Sequence, residues 1–346
     1  MKKILIVKIG AIGDVIMTLP VVSEIKKKLP EAHITWICGE VVYPILANIP
    51  DINEIITLDE QKLFSENISV RLGEVLSCHR KIALRKFEDV LIFHPDFRYR
   101  FLTVLVRSKR KVRLSREGER PSMIPGRSRP FERVRLFLDM DDNYPSVIQF
   151  PRDAIPCAAL TPGTQPLQDR KVKRVILAPG GAKNLLQEQA LKRWPIENYV
   201  RLAKFLGEQN YEVILSGADS DEWIIPYFED IKVVNAVGKL NLPELVSLMR
   251  ESDLVITHDS GPFHLAVLAQ HPHVIALFGP TNPFEFNYGE NFDRVKFLWK
   301  GTNLLCSPCY YGKHFSSQCK NNICMQGITP EAVFEEVEKL KAENIC

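Results

Sequence analysis

The stretch that most constrains this 346-residue chain runs from Asp253 to Thr281. Leu254-Val255-Ile256-Thr257 is a compact apolar run of the kind that forms a buried parallel strand. The polar turn Asp259-Ser260-Gly261 follows it. Pro262 then stands where a helix best tolerates proline, in its first turn, and Phe263 to Gln270 continue that helix. A second apolar run, His273 to Phe278, closes the unit as another strand. Strand, turn, helix and strand in this order commit the chain to a parallel sheet. The polar cluster His258-Asp259-Ser260-Gly261-Pro262-Phe263-His264 falls at the carboxyl end of a strand and the amino end of a helix. In open α/β sheets ligands bind at that place, and backbone N–H groups there favour anions such as a diphosphate. The same residues also suit a plain capped helix, with Asp259 or Ser260 as the cap and His264 as a packed histidine.

The rest of the chain repeats this alternation. Ile4 to Ile9 reads as a strand, Gly10-Ala11-Ile12-Gly13-Asp14 as a turn, and the following residues to about Leu29 as a helix. Gly13 lets another molecule approach the backbone closely, and Asp14 at the helix start serves either as an N-cap carboxylate or as a reactive one. The dinucleotide fingerprint Gly-x-Gly-x-x-Gly is absent, which disfavours a nicotinamide-dependent dehydrogenase. His33 to Cys38, Ile55 to Leu58 and Asp89 to His94 read as strands, Val41 to Ala47 and Ser69 to Phe87 as helices. A second series starts afresh with strand Arg174 to Ala178. Strands Glu212 to Ser216 and Lys232 to Val234 follow, with helices Ile196 to Gln209, Ser220 to Phe228 and Leu242 to Arg250. The last helix, Pro330 to Glu343, carries the apolar stripe Val333, Val337 and Leu340. Between the two series the apolar periodicity fades and prolines 145, 151, 156, 162 and 166 punctuate the chain. The expected architecture is α/β, with two Rossmann-like domains facing across a cleft: residues 1–150, a linker 151–172, residues 173–328, and a C-terminal helix over 329–346. The length agrees with two domains.

Lys and Arg number 45 against 42 Asp and Glu, and a net charge of +3 selects no partner by itself. Its distribution says more. From Arg98 to Arg135 basic residues far outnumber the carboxylates, which are Glu117, Glu119 and Glu132. Such a segment attracts phosphates or an anionic membrane face, or serves as a solvated surface. No nucleic-acid module accompanies it, so nucleic acid is not an expected partner. Gly118 to Pro130, rich in Gly, Pro, Ser and Arg, reads as a mobile loop. No apolar run approaches the ~20 residues of a membrane span. The apolar start, Ile4 to Val7, is cut by Lys8 and reads as a strand rather than a signal peptide. A cytoplasmic protein is expected, with any membrane contact peripheral, through the basic face or an apolar loop. Of eight cysteines, Cys306, Cys309, Cys319 and Cys324 gather near the carboxyl end, with His314 among them. They suit a structural zinc or a set of reduced thiols; the second pair lacks the C-x-x-C of a zinc ribbon, and disulfides are not expected in a reducing compartment. Cys38, Cys78, Cys157 and Cys346 stand apart.

Asp259-Ser260-Gly261-Pro262-Phe263-His264-Leu265-Ala266 with the downstream Phe278-Gly279-Pro280-Thr281 resembles the signature of the ADP-heptose–lipopolysaccharide heptosyltransferases, glycosyltransferase family 9. Lys8 to Ile16 with Leu19-Pro20 resembles the opening motif of that family, and Lys192-Arg193-Trp194-Pro195 is similar to its Lys-x-Trp-Pro. The resemblance implies a GT-B arrangement and inverting transfer of heptose from ADP-L-glycero-β-D-manno-heptose. The implied acceptor is the lipopolysaccharide inner core, Kdo-lipid A or its heptosylated form, at the cytoplasmic face of the inner membrane. It implies Asp14 as general base, Gly13 near the diphosphate, Lys192 on phosphate or developing charge, and Asp259, Ser260, Gly261 and His264 as donor-binding residues. Ser260 stands where threonine is frequent in the family and keeps the hydroxyl; His258 stands where asparagine is common. No Asp-x-Asp motif occupies a donor loop, so neither a catalytic metal nor a cofactor is expected. Two other readings stay open: a family member using another nucleotide sugar or glycan acceptor, and a noncatalytic nucleotide-sugar- or polyanion-binding module, which has no need of a base at Asp14.

Overall fold

The computed structural model describes residues 1–114, 129, 172–184, 187–271, 273–286, 294–310 and 319–342. Contacts divide the chain into two units, Met1–Ile155 with Glu285–Gly289, and Pro156–Phe284 with Glu290–Cys346. The first contains β1 Lys3–Val7, β2 His33–Gly39, β3 Glu54–Leu58, β4 Lys86–Ile92 and β5 Arg107–Arg113, all parallel in the order β3-β2-β1-β4-β5. Ile4 to Val7 are buried on both faces of the sheet, which is why the central strand is continuously apolar rather than alternating. The chain winds from β1 outward to β3, then crosses back to lay down β4 and β5. The carboxyl ends of β1 and β4 therefore flank a topological switch point.

Several elements of this unit depart from the sequence reading. The helix expected to run unbroken to Leu29 is two, Ile12–Ile16 and Leu19–Lys28. Pro20 has no N–H to donate, and the Thr18 hydroxyl donates to the Asp14 carbonyl at 2.8 Å, so the helical ladder is interrupted between them. The helix expected over Ser69 to Phe87 is Ile68–Ile82 and stops at Ala83; Leu84 adopts a φ of 62°, and Lys86 and Phe87 pair in the sheet. Sheet pairing there overrides helical periodicity. The basic segment holds a helix, Phe97–Leu102, and the edge strand β5, neither of which was anticipated. Along β5, exposed Arg107, Lys109, Lys111 and Arg113 alternate with half-buried Ser108, Arg110 and Val112. A row of cations is a common guard against edge-to-edge sheet pairing. The loop expected over Gly118 to Pro130 (Arg129 apart), the last part of the basic segment and the linker lie outside the described residues, as does His314.

The second unit contains β6 Arg174–Ala178, a small antiparallel hairpin of β7 Lys183–Asn184 and β8 Gln187–Glu188, then β9 Glu212–Leu215, β10 Val234–Asn235, β11 Leu254–His258, β12 Val274–Phe278 and β13 Val295–Trp299. Apart from the hairpin, these form one parallel sheet in the order β10-β9-β6-β11-β12-β13. Its winding repeats that of the first sheet, and its switch point lies between β6 and β11. The helix Leu242–Arg250 opens with a capping box, Asn241 accepting from the Glu244 amide at 3.0 Å and Glu244 from the Asn241 amide at 2.8 Å. The run expected as an α-helix over Ser220 to Phe228 is a 3₁₀ helix, Asp219–Phe228, with Pro226 inside it. The terminal helix Pro330–Ala342 sets Val333 and Val337 into the same core as Trp194, Tyr199, Leu202 and Leu206, and the Trp194 indole donates to the Ile328 carbonyl at 2.7 Å. Among the described residues no helix is long and apolar enough to cross a membrane.

The buried histidines of this unit include His258, at 0% exposure, and His271, at 2%. Burial pushes the His258 pKa down to about 3 and that of His271 down to about 4; the Ser252 and His273 carbonyls facing the His271 ring oppose the shift without cancelling it. An unfolded imidazole takes its proton near the ordinary value, so between pH 6.5 and 4 the unfolded chain binds more protons than the folded one. Stability should therefore fall as pH drops through that window, by on the order of 3 kcal/mol for His271 alone. Urea denaturation at pH 7 and pH 4.5 checks this: the wild type should lose stability, His271→Gln should lose less, and a flat wild-type profile contradicts it.

Candidate active site

At the switch point of the first sheet, β1 runs directly into Lys8, which is 1% exposed. Its ammonium stands 2.8 Å from the Asp14 carboxylate, whose side chain is 31% exposed. Asp14 does not cap the helix. Ala11 occupies the N-cap position without a side-chain hydrogen bond, while Asp14 sits in the first turn and turns its carboxylate to Lys8. The Trp36 indole donates to the Lys8 carbonyl at 3.0 Å and fixes the lysine backbone. Gly13 is buried in the same short helix. The Glu60 side chain lies against Gly10 and Gly39, and a β-carbon at either glycine would collide with it. Burial raises the pKa of Glu60 and the nearby Lys8 charge opposes that rise. Beyond β4, His94 stacks on Tyr99 with ring centroids 4.3 Å apart. Burial works against the charge of Asp96, but hydrogen bonds from Arg98 outweigh it and bring its pKa to about 2.

At the switch point of the second sheet a second lysine–aspartate pair is buried more deeply. Lys192 Nζ lies 2.8 Å from Asp259 Oδ2, with side chains 10% and 4% exposed. The Thr281 hydroxyl donates to the same carboxylate at 2.7 Å. Burial alone would raise the pKa of Asp259, yet the charge and hydrogen bond of Lys192, with His264 and Thr281, hold it below the usual carboxylate range. Lys192 also sits over the Tyr310 ring, 4.7 Å from its centre, and Gln189 donates to the Tyr310 hydroxyl at 3.0 Å. His258, kept neutral by burial, stands 3.1 Å from the Tyr199 hydroxyl.

The helix Gly261–Leu268 opens on Ser260, but the Ser260 hydroxyl turns back to the His258 carbonyl at 3.2 Å and makes no cap. The first-turn amides are left without a side-chain cap, the condition under which a helix start takes an anion. His264, 5% exposed, packs against Phe263 with ring centroids 5.0 Å apart. The turn after β6 presses on Ser260: Gly181 has a φ of 79°, and a β-carbon there would approach the Ser260 side chain to 3.2 Å. Asp221 holds this turn by accepting from the amides of Gly181 at 2.9 Å and Ala218 at 3.0 Å, and Arg193 donates to the Gly181 carbonyl at 2.9 Å. The structure thus gathers Lys192, Asp259, Ser260, Gly261 and His264 in the second unit, and Gly13 and Asp14 in the first.

Residues 157–319 match the family model of glycosyltransferase family 9 (heptosyltransferase). The chain is 27% identical to the lipopolysaccharide core heptosyltransferase OpsX of Haemophilus influenzae, over 98% of this chain and 97% of that one. It is 28% identical to a lipooligosaccharide heptosyltransferase 2 of the same species, over 81% and 84%. Its fold is similar to that of a family 9 glycosyl transferase from Veillonella parvula, with a TM-score of 0.70 and 22% identity, covering 99% and 97% of the two chains. A comparable likeness, TM-score 0.68 with 16% identity and 97% and 99% coverage, holds for the Escherichia coli heptosyltransferase WaaC solved with ADP-2-deoxy-2-fluoro heptose. Residues 157–319 are thus a glycosyltransferase family 9 domain.

Several residues around these two pairs carry no clear signature in the sequence. Thr281 closes the Phe278-Gly279-Pro280-Thr281 motif, and its role becomes visible only through its bond to Asp259. Lys8 read as an interruption of an apolar run and proves to be the buried partner of Asp14. Tyr310 has no local pattern, and Asp221 reads from the sequence only as a first-turn residue near Ala218, because its partner Gly181, like Lys192 for Tyr310, is remote in sequence. Removing one member of a buried ion pair leaves the other charged and uncompensated, at a cost of about 3 kcal/mol or more. Lys192→Ala is therefore expected to destabilise the second unit by that order, and Lys192→Ala with Asp259→Asn to regain most of the loss. A double-mutant cycle by urea denaturation checks it; simple additivity would show that the pair is not coupled.

Proposed function

We propose that this enzyme transfers heptose, with inversion, from ADP-L-glycero-β-D-manno-heptose to the inner core of lipopolysaccharide, Kdo-lipid A or its heptosylated form. The observation that carries the reading is the Lys192–Asp259 pair, held by Thr281 beside an uncapped helix start at a switch point. That is a diphosphate site in its elements, and the relatives that match nearly the whole chain bear heptosyltransferase names. Asp14 takes the proton of the acceptor hydroxyl as its oxygen attacks the anomeric carbon; Lys8 orients the carboxylate. The bond from that carbon to the β-phosphate oxygen breaks, and ADP leaves with the electron pair. Lys192 has three N–H groups and spends one on Asp259, so it retains donors for the diphosphate. Amides of the Ser260-Gly261 turn add dipoles to the same charge, and His264 supports Asp259.

The acceptor is acidic and lipid-borne, and the exposed face of β5 suits it. Arg107, Lys109, Lys111 and Arg113 all stand on that face. Phe97, Phe101, Val104 and Leu105, just before it in sequence, are 50 to 63% exposed. Cations near an anionic surface contribute about 1 kcal/mol each, and exposed aromatic and aliphatic side chains add interfacial contact. Peripheral contact with the inner membrane would then bring enzyme and acceptor together.

Three measurements bear on this. Asp14→Asn should lower the rate of ADP release in the presence of acceptor by about a hundredfold or more while leaving donor affinity nearly unchanged; turnover at the wild-type rate would remove the mechanism. A panel of truncated lipopolysaccharide acceptors distinguishes the two additions: transfer to Kdo-lipid A marks a first heptose, transfer only to the heptosylated form a second. Absence of transfer to any of them, with binding of another nucleotide sugar, would keep the family and discard heptose. Finally, Lys109→Glu with Arg113→Glu should reduce co-sedimentation with phosphatidylglycerol vesicles but not with neutral ones, and unchanged sedimentation would set the membrane contact aside.

A further inference from the structure

At the carboxyl end of the first sheet one carboxyl is left without a partner. Glu60 opens the short helix Glu60–Leu63, which follows the edge strand β3. Its side chain does not turn out to solvent. It reaches past the end of β2 to the end of β1 and fills the space that side chains at Gly39 and Gly10 would take. Two strand ends thus give up a side chain to admit this one. Gly10 opens the turn that leads from Lys8 to Asp14. The Lys8 charge bears on Glu60, as do those of Asp59 and Glu40. Nearby carboxyls are spent within the chain: Asp14 faces Lys8, Asp59 accepts from the Lys62 amide at 3.0 Å, and Glu74 accepts from the Asp59 amide at 3.0 Å. Glu60 is half-buried, yet among the described residues none offers its carboxyl a hydrogen bond or an ion pair.

We propose that Glu60 is an acceptor-binding residue, whose carboxylate accepts a hydrogen bond from a hydroxyl of the acceptor sugar beside the one that Asp14 deprotonates. The inference rests on the reading of Asp14 as the base and adds the contact that fixes the acceptor against it. A carboxyl withdrawn from water without a hydrogen bond is disfavoured, and burial does raise the Glu60 pKa against the pull of Lys8. Packing alone asks for no ionisable group at that place. A sugar hydroxyl does, because it donates more strongly to a carboxylate than to a neutral oxygen. The position agrees: ligands of open α/β sheets bind beyond the carboxyl ends of the strands, where Glu60 and Asp14 stand around one lysine charge. Held by Asp14 through one hydroxyl, a sugar is free to turn about that contact. A second contact through a neighbouring hydroxyl removes this freedom and presents the attacking oxygen in one orientation. The ligand class is a polyhydroxylated sugar rather than a lone alcohol.

The test compares the full-length wild type with Glu60→Ala and Glu60→Gln on Kdo-lipid A, on its heptosylated form, and on analogues each lacking one hydroxyl of the terminal sugar. Glu60→Ala should raise the acceptor KM about tenfold or more and leave donor affinity unchanged. One deoxy analogue should lose a similar factor in kcat/KM with the wild type and almost nothing further with Glu60→Ala, because both changes remove the same bond. Glu60→Gln keeps the shape and covers the case of an alanine variant that does not fold. It should raise the acceptor KM and withstand urea at least as well as the wild type, since a group kept for a ligand at the expense of the fold is relieved when its charge is removed. An unchanged acceptor KM in both variants would overturn the inference. So would equal sensitivity of wild type and variants to every deoxy analogue, or a Glu60→Gln protein whose only defect is unfolding in less urea. In each of these outcomes transfer by the wild type leaves the reading of Asp14 standing. A wild type that transfers to neither acceptor removes that reading, and this contact with it.

Discussion

An ammonium group taken out of water costs several kcal/mol and stays charged only against a counter-charge. Among the described residues two lysines are buried, Lys8 and Lys192, and each has an aspartate at 2.8 Å. Both pairs stand where a parallel sheet reverses its direction of winding. The two differ in what they ask of the fold. Lys8 and Asp14 are close in sequence, so one strand and one turn suffice to bring them together. Asp259 reaches Lys192 only because β11 lies beside β6, with Thr257 registered to Ala178. The pairing of β11 with β6 thus brings a buried charge to its counter-charge, and the ion pair and the sheet order support each other.

The second pair also explains why its surroundings are crowded with polar groups that serve no core. The β6 turn needs a left-handed residue at Gly181 to pass under Ser260, and Asp221 and Arg193 tie down the amide and carbonyl that this turn frees. Ser260 forgoes its ordinary capping bond. A helix start that is packed firmly yet uncapped by its own side chain is electrostatically preorganised for an anion, which is what the proposed departure of a diphosphate would use.

How much of this was legible beforehand followed from how local each cause was. β6, β11 and β12 announce themselves because buried parallel strands are unbroken apolar runs. β5 gives no such sign: five of its seven residues, Arg107, Lys109, Arg110, Lys111 and Arg113, are basic, and only its backbone pairing with β4 makes it a strand. The 3₁₀ run Asp219–Phe228 has apolar positions at nearly helical spacing, but Pro226 removes the amide that an α-helix requires. Asp259 could be picked out by its motif and Lys192 by its neighbours. Their contact, and those of Thr281 and Tyr310 with them, depend on segments brought together by the sheet and so leave no mark in any short window.

The charged edge of the first sheet meets two demands with the same residues. An unpaired strand invites another strand to add to it, and a row of like charges discourages that. Alternate residues along a strand are about 6.6 Å apart, less than the Debye length of about 8 Å at physiological salt. Arg107, Lys109, Lys111 and Arg113 therefore act on a nearby phosphate as a group rather than singly. Arg110, on the opposite face, is bound to Asp89 at 2.6 Å, so that carboxylate is spent within the sheet. The arrangement repels a second strand, whose backbone brings no net charge to compensate, and attracts a polyanion that does.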